Sequence, residues 1–264
     1  MRNSFLKRSA YTVLDWLTFG KGVVRKINGM KVRFPARWSR YYESDYESGN
    51  YNFLKEQVKP GMHIIDVGAH LGLFSSVSAQ LTGPEGKIVC FEPTPGTFKL
   101  LQQTLKLNHC SNVTAVQAAI SKKEGSATFY VGNTDANNSN SLVKNKAESE
   151  ISGYEVKLTT IDKAVQQYQL SPSLIKIDAE GAEMDALRGA VRTIKDHMPM
   201  LILGLHPAAI VANGDSLKEI WDLVKEANYK IFYNNTEIRE NEFTTQKDLF
   251  DVHVFPSDSQ VIKG

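Results

Sequence analysis

Residues His63-Ile64-Ile65-Asp66-Val67-Gly68-Ala69-His70-Leu71-Gly72 constrain this chain more than any other stretch: an apolar run that closes on an acid, a tight glycine turn, and an apolar helix beginning near Leu73. A buried strand of this kind delivers the backbone to the carboxyl edge of a sheet. Gly68 and Gly72 then let a ligand approach the main chain at the start of a new helix. The pattern predicts a nucleotide-type cofactor site. The spacing is not the dinucleotide G-x-G-x-x-G, because alanine, histidine and leucine separate the two glycines, and no pyrophosphate is expected there. A plain buried strand followed by a turn would explain the same residues, so a second signal is needed.

The stretch Gly86-Lys-Ile-Val-Cys-Phe-Glu-Pro93 supplies it. It reads as the next buried strand and ends on Glu92, at the distance from the glycine turn where such folds hydrogen-bond ribose hydroxyls. The plainer reading of Glu92 is a carboxylate that caps the bend marked by Pro93, Pro95 and Gly96. An acid ahead of the glycine turn together with a ribose acid suits a nucleoside that also carries positive charge. S-adenosylmethionine, with an ammonium and a sulfonium, is the expected cofactor.

Asp66-Val-Gly-Ala-His-Leu-Gly72, Phe91-Glu-Pro93 and Ile175-Lys-Ile-Asp-Ala-Glu-Gly-Ala-Glu183 together resemble the FkbM family of S-adenosylmethionine-dependent methyltransferases, over roughly Tyr46 to Pro207. The third motif carries the specificity, since the first two are shared by many class I methyltransferases. The resemblance implies an O-methyltransferase acting on a hydroxyl of a sugar, a glycan or a polyketide-type natural product. It also implies a Rossmann-like, doubly wound α/β fold with a mostly parallel seven-stranded sheet whose last strand is antiparallel. Tyr46-Glu47 resembles the family's pre-core motif, which would bring Glu47 to the cofactor's amino group. His70 stands where many members carry asparagine. The cofactor set implied is Glu47, Asp66, Gly68, Ala69, His70, Gly72, Glu92, Ala119 and Asp178.

A chain of 264 residues, 42% hydrophobic, can bury one large α/β core, and it has no apolar run of membrane length. From His63 onward strands and helices alternate, as in a parallel sheet with right-handed crossovers. Strands are expected at 63–68, 87–92, 113–118, 174–178, 200–205, 229–234 and 249–255. The last two, joined by the polar stretch Asn235 to Lys247 without an apolar helical face, should pair antiparallel. One helix is expected near Tyr51 to Gln57. Others are marked by Phe98, Leu101 and Leu105, by Met184, Leu187, Val191 and Ile194, and by Leu217, Ile220 and Val224 after the capping box Ser216-x-x-Glu219. Between the third and fourth core strands, Ser126 to Val131 and Glu155 to Thr160 read as extra strands. They flank the polar run Gly132 to Ser141, which is either a wall of the acceptor site or a surface excursion.

Residues 1–40 hold ten Lys or Arg against the single acid Asp15, a local +9 that leaves −7 for the rest of a chain whose net charge is +2. Leu6, Ala10, Val13 and Leu17 recur at helical spacing and, with Phe5, Trp16 and Phe19, form an amphipathic helix whose other side carries Lys7 and Arg8. Base rates favour its packing on the domain or on a partner subunit, and an anionic membrane surface is the alternative for residues 1–40. Val23 to Ile27 and Met30 to Phe34 alternate around Asn28-Gly29, which predicts a type I′ hairpin covering one edge of the core. Residues 1–45 are thus expected as a basic helix-and-hairpin appendage, and 46–264 as the methyltransferase domain. The expected partner is a small-molecule or glycan acceptor. Nucleic acid is not expected, because the basic and aromatic interleaving stops at Arg40. A homo-oligomer is left open. Asp15 interrupts the early apolar stretch, so no secretory signal is read, and with Cys90 and Cys110 as free thiols a cytoplasmic, or membrane-peripheral, location is expected.

The chemistry is expected at the ends of the fourth and fifth core strands. A sulfonium already carries an excellent leaving group, so the enzyme has to align the acceptor oxygen and remove its proton. His206 ends the run Leu201 to Leu205 and is the expected general base, with Asp178 and Glu180 completing the catalytic set. A strand-end histidine satisfied by a backbone carbonyl is the plainer reading. Asp178, Glu180 and Glu183 form an alternative oxygen-ligand set for Mg2+. His206-Pro207 in place of a second acid pair weighs against an obligatory metal, and the helix macrodipole gives Glu183 a structural reason to be there. Two other functions share parts of this pattern. A nicotinamide-dependent oxidoreductase has the wrong glycine spacing here, and a catalytically silent cofactor-binding scaffold has no need of His206 beside Asp178. The acceptor itself is not legible.

Overall fold

The computed structural model describes residues 20–131 and 152–258 of the 264. The amphipathic helix expected before residue 20 and the polar run from Gly132 to Ser141 lie outside the described residues. In chain order the elements are β1 (Val23–Ile27), β2 (Met30–Phe34), a 3-10 turn (Ala36–Trp38), α1 (Ser48–Gln57), β3 (His63–Val67), α2 (Leu73–Thr82), β4 (Lys87–Phe91), α3 (Pro95–Leu107), β5 (Val113–Val116), β6 (Ala119–Ile120), β7 (Gly125–Val131) and β8 (Ser152–Thr159). They continue as α4 (Ile161–Tyr168), β9 (Pro172–Asp178), α5 (Glu183–Arg188), α6 (Val191–His197), β10 (Met200–Leu205), α7 (Pro207–Ala212), α8 (Leu217–Glu226), β11 (Tyr229–Tyr233), β12 (Thr236–Glu237), α9 (Glu240–Thr244) and β13 (Phe250–Pro256).

The central sheet has the order β12-β11-β13-β10-β9-β3-β4-β5. From β10 to β5 every pairing is parallel, whereas β13 runs antiparallel to both β10 and β11. The chain leaves β3 toward β4 and β5 on one side and later fills β9 and β10 on the other, so the order reverses between β3 and β9. In open doubly wound sheets ligands collect at such a point, beyond the carboxyl ends of the strands.

Adjacent residues of these strands enter different cores, as a sheet covered on both faces requires. Ile65, Val89, Ile175 and Leu201 pack with Leu187 of α5, Ile194 of α6 and Ile220 of α8. Their neighbours Ile64, Ile88, Leu174 and Ile202 pack with Leu54 of α1, Leu73 and Val77 of α2, and Ile27, Val32 and Phe34 of the hairpin. The hairpin therefore covers helices rather than the expected sheet edge. Asn108 at the end of α3 accepts from the Arg33 amide at 2.8 Å and donates to its carbonyl at 2.7 Å, and Gln80 of α2 donates to the Lys31 carbonyl at 3.1 Å.

The expected strands form, and the differences are local. The sheet has eight strands rather than seven, because Asn234 and Asn235, both at positive φ, turn β11 back onto the two-residue β12. The stretch read as lacking a helix contains α9, anchored by a single buried residue, Phe243, too few for a periodic pattern. The helix expected from Met184 to Ile194 is two helices broken at Gly189-Ala190, and Val191 is exposed. A Cβ at Gly189 would lie 2.2 Å from the Ser121 carbonyl oxygen, so close packing of the chain passing there sets the break. The third core strand stops at Val116, and Ala119-Ile120 joins β7 and β8 in a separate sheet ordered β6-β8-β7. Cys90 and Cys110 are free thiols. No helix among the described residues is long and apolar enough to cross a membrane.

Candidate active site

A cavity of about 540 Å³ opens where β4, β3, β9 and β10 end. At its centre Gly68, with φ +79°, passes so close to β9 that a Cβ there would lie 1.9 Å from the Asp178 carbonyl oxygen. Only glycine fits. The Gly68 and Ala69 amides both donate to the Phe91 carbonyl, at 3.0 and 2.9 Å, so this turn is tied to β4. His70 follows at φ +48°, its Nδ1 3.0 Å from the Tyr42 hydroxyl and its ring against Tyr41.

Glu92 continues from β4. It is buried, with Oε2 accepting from the His70 amide at 3.1 Å and Oε1 from the Thr94 amide at 2.9 Å. Burial raises its pKa to about 7 in spite of these bonds. The wall beside it is Ala118, Ala119 and Ile120.

The opposite end is built on β9, β10 and the loop between β9 and α5. Buried Lys176 pairs with Asp178 at 3.0 Å and lies over the Phe74 ring, 5.6 Å from its centroid. His206 Nε2 lies 3.4 Å from Glu180 Oε2 and 3.8 Å from Asp178 Oδ1. Behind the imidazole, Nδ1 meets Oε1 of the fully buried Glu183 at 2.9 Å. The Gly181 amide donates to the same oxygen at 3.0 Å, with the Ala179 amide at 3.3 Å. Burial alone would lower the His206 pKa, but the Glu183 bond and the charges of Glu180, Glu183 and Asp178 outweigh it and push it up to about 9. Titration near neutrality, expected of a free imidazole, is thereby displaced upward. Burial likewise pushes Glu180, at φ +51°, up to about 7.

A third group comes from outside the motifs. Asn50 of α1 donates to Glu47 Oε2 at 3.2 Å and to Asp251 Oδ2 at 3.0 Å, while its own oxygen meets His253 Nε2 at 3.0 Å. Burial, and then the charge of Glu47, pushes Asp251 up to about 6. Gly204 pairs with both Asp178 and Asp251 across the sheet, and the missing side chain leaves the space between their carboxylates open.

Of the residues expected from sequence, Glu47, Gly68, Ala69, His70, Glu92, Ala119, Asp178, Glu180 and His206 line this one cavity. Asp66, Gly72 and Glu183 do not. Asp66 is fully buried on the face of β3 that meets α2, where Ser75 donates to its Oδ2 at 2.5 Å. It lies inside β3, one residue before the strand ends at Val67, and so stays under α2 instead of reaching the cavity beyond the strand end. Gly72 is where α2 meets α3: a Cβ there would lie 2.6 Å from Leu101 Cδ1. Tyr42, Tyr46, Lys176, Gly204 and Asp251 line the cavity without having been foreseen. Asp251 left a signal, since Phe250-Asp-Val-His-Val-Phe255 sets two polar residues on one side of an otherwise apolar strand.

The family model described as the methyltransferase FkbM domain matches residues 66–231, from Asp66 in β3 to Ile231 in β11. This chain belongs to the FkbM methyltransferase family. Methyltransferase 1 of Beauveria bassiana (strain ARSEF 2860) is 30% identical over 143 residues, which cover 48% of this chain and 57% of that protein. Methyltransferase sdnD of Sordaria araneosa is 29% identical over 154 residues, 48% of this chain and 59% of its own length. The alignment thus spans less than two thirds of either curated relative. Among solved structures, methyltransferase FkbM from Methylobacillus flagellatus KT aligns at 20% identity and a TM-score of 0.46, over 74% of this chain and 43% of that one. Within the FkbM domain of this chain, the match takes in Glu92, Asp178, Glu180 and His206 but leaves out Glu47 and Asp251, which the fold adds from either side.

Proposed function

We propose that this FkbM domain binds S-adenosylmethionine in the cavity and transfers its methyl group to a hydroxyl of a sugar, glycan or natural-product acceptor. One observation supports this reading above the others: Glu92 and the Asp178–Glu180–His206 group lie on the same cavity, two strand spacings apart at β9 and three at β10. At the usual separation of neighbouring strands that is roughly 10 to 14 Å, room for an elongated nucleoside with an acceptor beyond it.

The residues fit the cofactor chemically. Glu92 has both oxygens held by backbone amides and keeps lone pairs for ribose hydroxyls. Glu47, Asp178 and Asp251 give the middle of the cavity the negative charge that an ammonium and a sulfonium need, and Lys176 is the cation placed to meet a carboxylate. The same acidic lining repels a pyrophosphate, which weighs against a nicotinamide cofactor. When bound, S-adenosylmethionine supplies the methyl group: the carbon–sulfur bond breaks with its electron pair left on sulfur, and the hydroxyl oxygen forms the new carbon–oxygen bond. Asp178, Glu180 and His206 face the acceptor end, orient the hydroxyl and handle the proton it loses.

The test is incubation of the full chain with S-adenosylmethionine and panels of glycans and hydroxylated small metabolites, read by mass spectrometry. A mass gain of one methylene on an acceptor, with stoichiometric S-adenosylhomocysteine, is the expected result. Cofactor binding with no product from any acceptor panel would favour the silent-scaffold reading instead.

A further inference from the structure

We propose that Asp178, Glu180 and His206 bind one divalent transition cation, with Mn2+ as the type, at the end of the cavity beside β9 and β10. One ligand atom from each of the three residues lies within 4.8 Å of the other two, and all three residues line the cavity. The oxygen set expected from the sequence used Glu183 as its third member. The structure puts His206 in that place and gives Glu183 a different task.

The imidazole is aimed by that task. Glu183 is fully buried, and its Oε1 holds His206 Nδ1 at 2.9 Å while two backbone amides hold Oε1 in turn. With Nδ1 engaged, Nε2 is the nitrogen presented to Asp178 and Glu180. A carboxylate fixing one ring nitrogen so that the other can ligate is how metal-bound histidines are oriented. The other Glu183 oxygen has no hydrogen-bond partner, so the chain keeps an incompletely satisfied buried carboxylate for the sake of this contact.

Charge balance gives the valence. Asp178, Glu180 and Glu183 carry three negative charges when ionised, and the Lys176–Asp178 pair cancels one. With His206 neutral, as a ligand must be, two negative charges remain. A divalent cation closes the account. Two oxygens and one imidazole nitrogen suit Mn2+ better than Mg2+, which prefers an all-oxygen shell. Three protein ligands leave coordination positions for an acceptor hydroxyl, whose pKa the cation would lower. With the ion bound, His206 handles the proton indirectly, as a ligand of the cation that acidifies the hydroxyl, and the proton itself passes to solvent at the mouth of the cavity. The ion's binding stands on the geometry alone, while its role rests on the methyl-transfer reading.

Metal-stripped full-length protein titrated with MnCl2, the free ion followed by its paramagnetic resonance signal, tests the site. One Mn2+ per chain is expected to bind, with Glu180→Gln and His206→Ala each weakening it tenfold or more and Glu183→Gln weakening it less. S-adenosylhomocysteine affinity, measured in parallel without metal, reports whether each variant is folded and whether the cofactor site exists. Retained nucleoside binding without Mn2+ binding in the wild type, or equal Mn2+ affinity in folded His206→Ala, would overturn the metal site and leave the methyl-transfer reading standing. Mn2+ bound and lost in the variants as expected, with no nucleoside binding by any form, would do the reverse.

Discussion

Glu92 is the residue where ionisation and binding meet. Its pKa lies at about 7, raised by burial, and two backbone amides bond its oxygens. The ionised form, dominant above that value, is the one that accepts hydrogen bonds from hydroxyl donors. S-adenosylhomocysteine affinity should therefore be constant above pH 8 and fall as pH drops through about 7, approaching tenfold per pH unit. Calorimetry across that range checks the trend, and an affinity flat down to pH 5 would remove Glu92 from the binding site. Asp66 makes the contrasting case. Fully buried and bonded to Ser75, it should reveal itself through stability. Asp66→Ala strands the Ser75 hydroxyl and is expected to cost roughly 1 to 3 kcal/mol, with S-adenosylhomocysteine affinity unchanged within threefold at a temperature where the variant is folded. An intact melting temperature with a large loss of affinity would restore Asp66 as a direct ligand. Both acids sit near the end of an apolar run and look alike in the sequence. Position along the strand separates them, Asp66 lying inside β3 in register with Cys90 and Glu92 one residue past the end of β4, and it can be read only once the last residue of each strand is known.

Glycines at the ends of elements show why the turn after β3 was legible. Gly68→Ala would push a Cβ into the Asp178 carbonyl at positive φ, and about 3 kcal/mol or more should be lost. Gly29 of the hairpin turn is the control, at φ +85° with nothing within 4 Å of its Cβ position, and its change to Ala should cost about 1 to 2 kcal/mol. Urea unfolding midpoints of the two variants decide the matter, and equal losses would mean that backbone conformation alone, with no close approach of β3 to β9, explains Gly68. The parallel strands were readable because residues buried on both faces leave continuous apolar runs. What sequence hid were contacts made at a distance: the Gly189 break set by the Ser121 carbonyl, α9 held by Phe243 alone, and Asp251, brought to the cavity by a strand that inserts between β10 and β11.

At the scale of the whole molecule, the hairpin and the catalytic face share one core. Ile27, Val32 and Phe34 pack in the cluster that holds Leu73 and Phe74 of α2, one turn of helix from the glycine loop. Phe34→Ala is accordingly expected to destabilise the domain by about 3 to 5 kcal/mol in a single cooperative transition. A separate early transition, with the main one unmoved, would show that the hairpin is a detachable appendage. The same packing explains how Tyr42, Tyr46 and Glu47, which lie ahead of the family match, reach a cavity formed by strands that end at Val67, Phe91, Asp178 and Leu205. Their roles were legible only in part, through Glu47, because no local pattern marks a segment that closes over a distant sheet edge. The central claim is that this cavity is a nucleoside cofactor site with Glu92 at its ribose end. Calorimetric titration of the full chain with S-adenosylhomocysteine at pH 8, beside Glu92→Ala, tests it most directly. One site of micromolar affinity, worth about 8 kcal/mol, weakened tenfold or more in the variant, is the result predicted. No binding heat at millimolar nucleoside, or the same affinity in a folded Glu92→Ala protein, would contradict it.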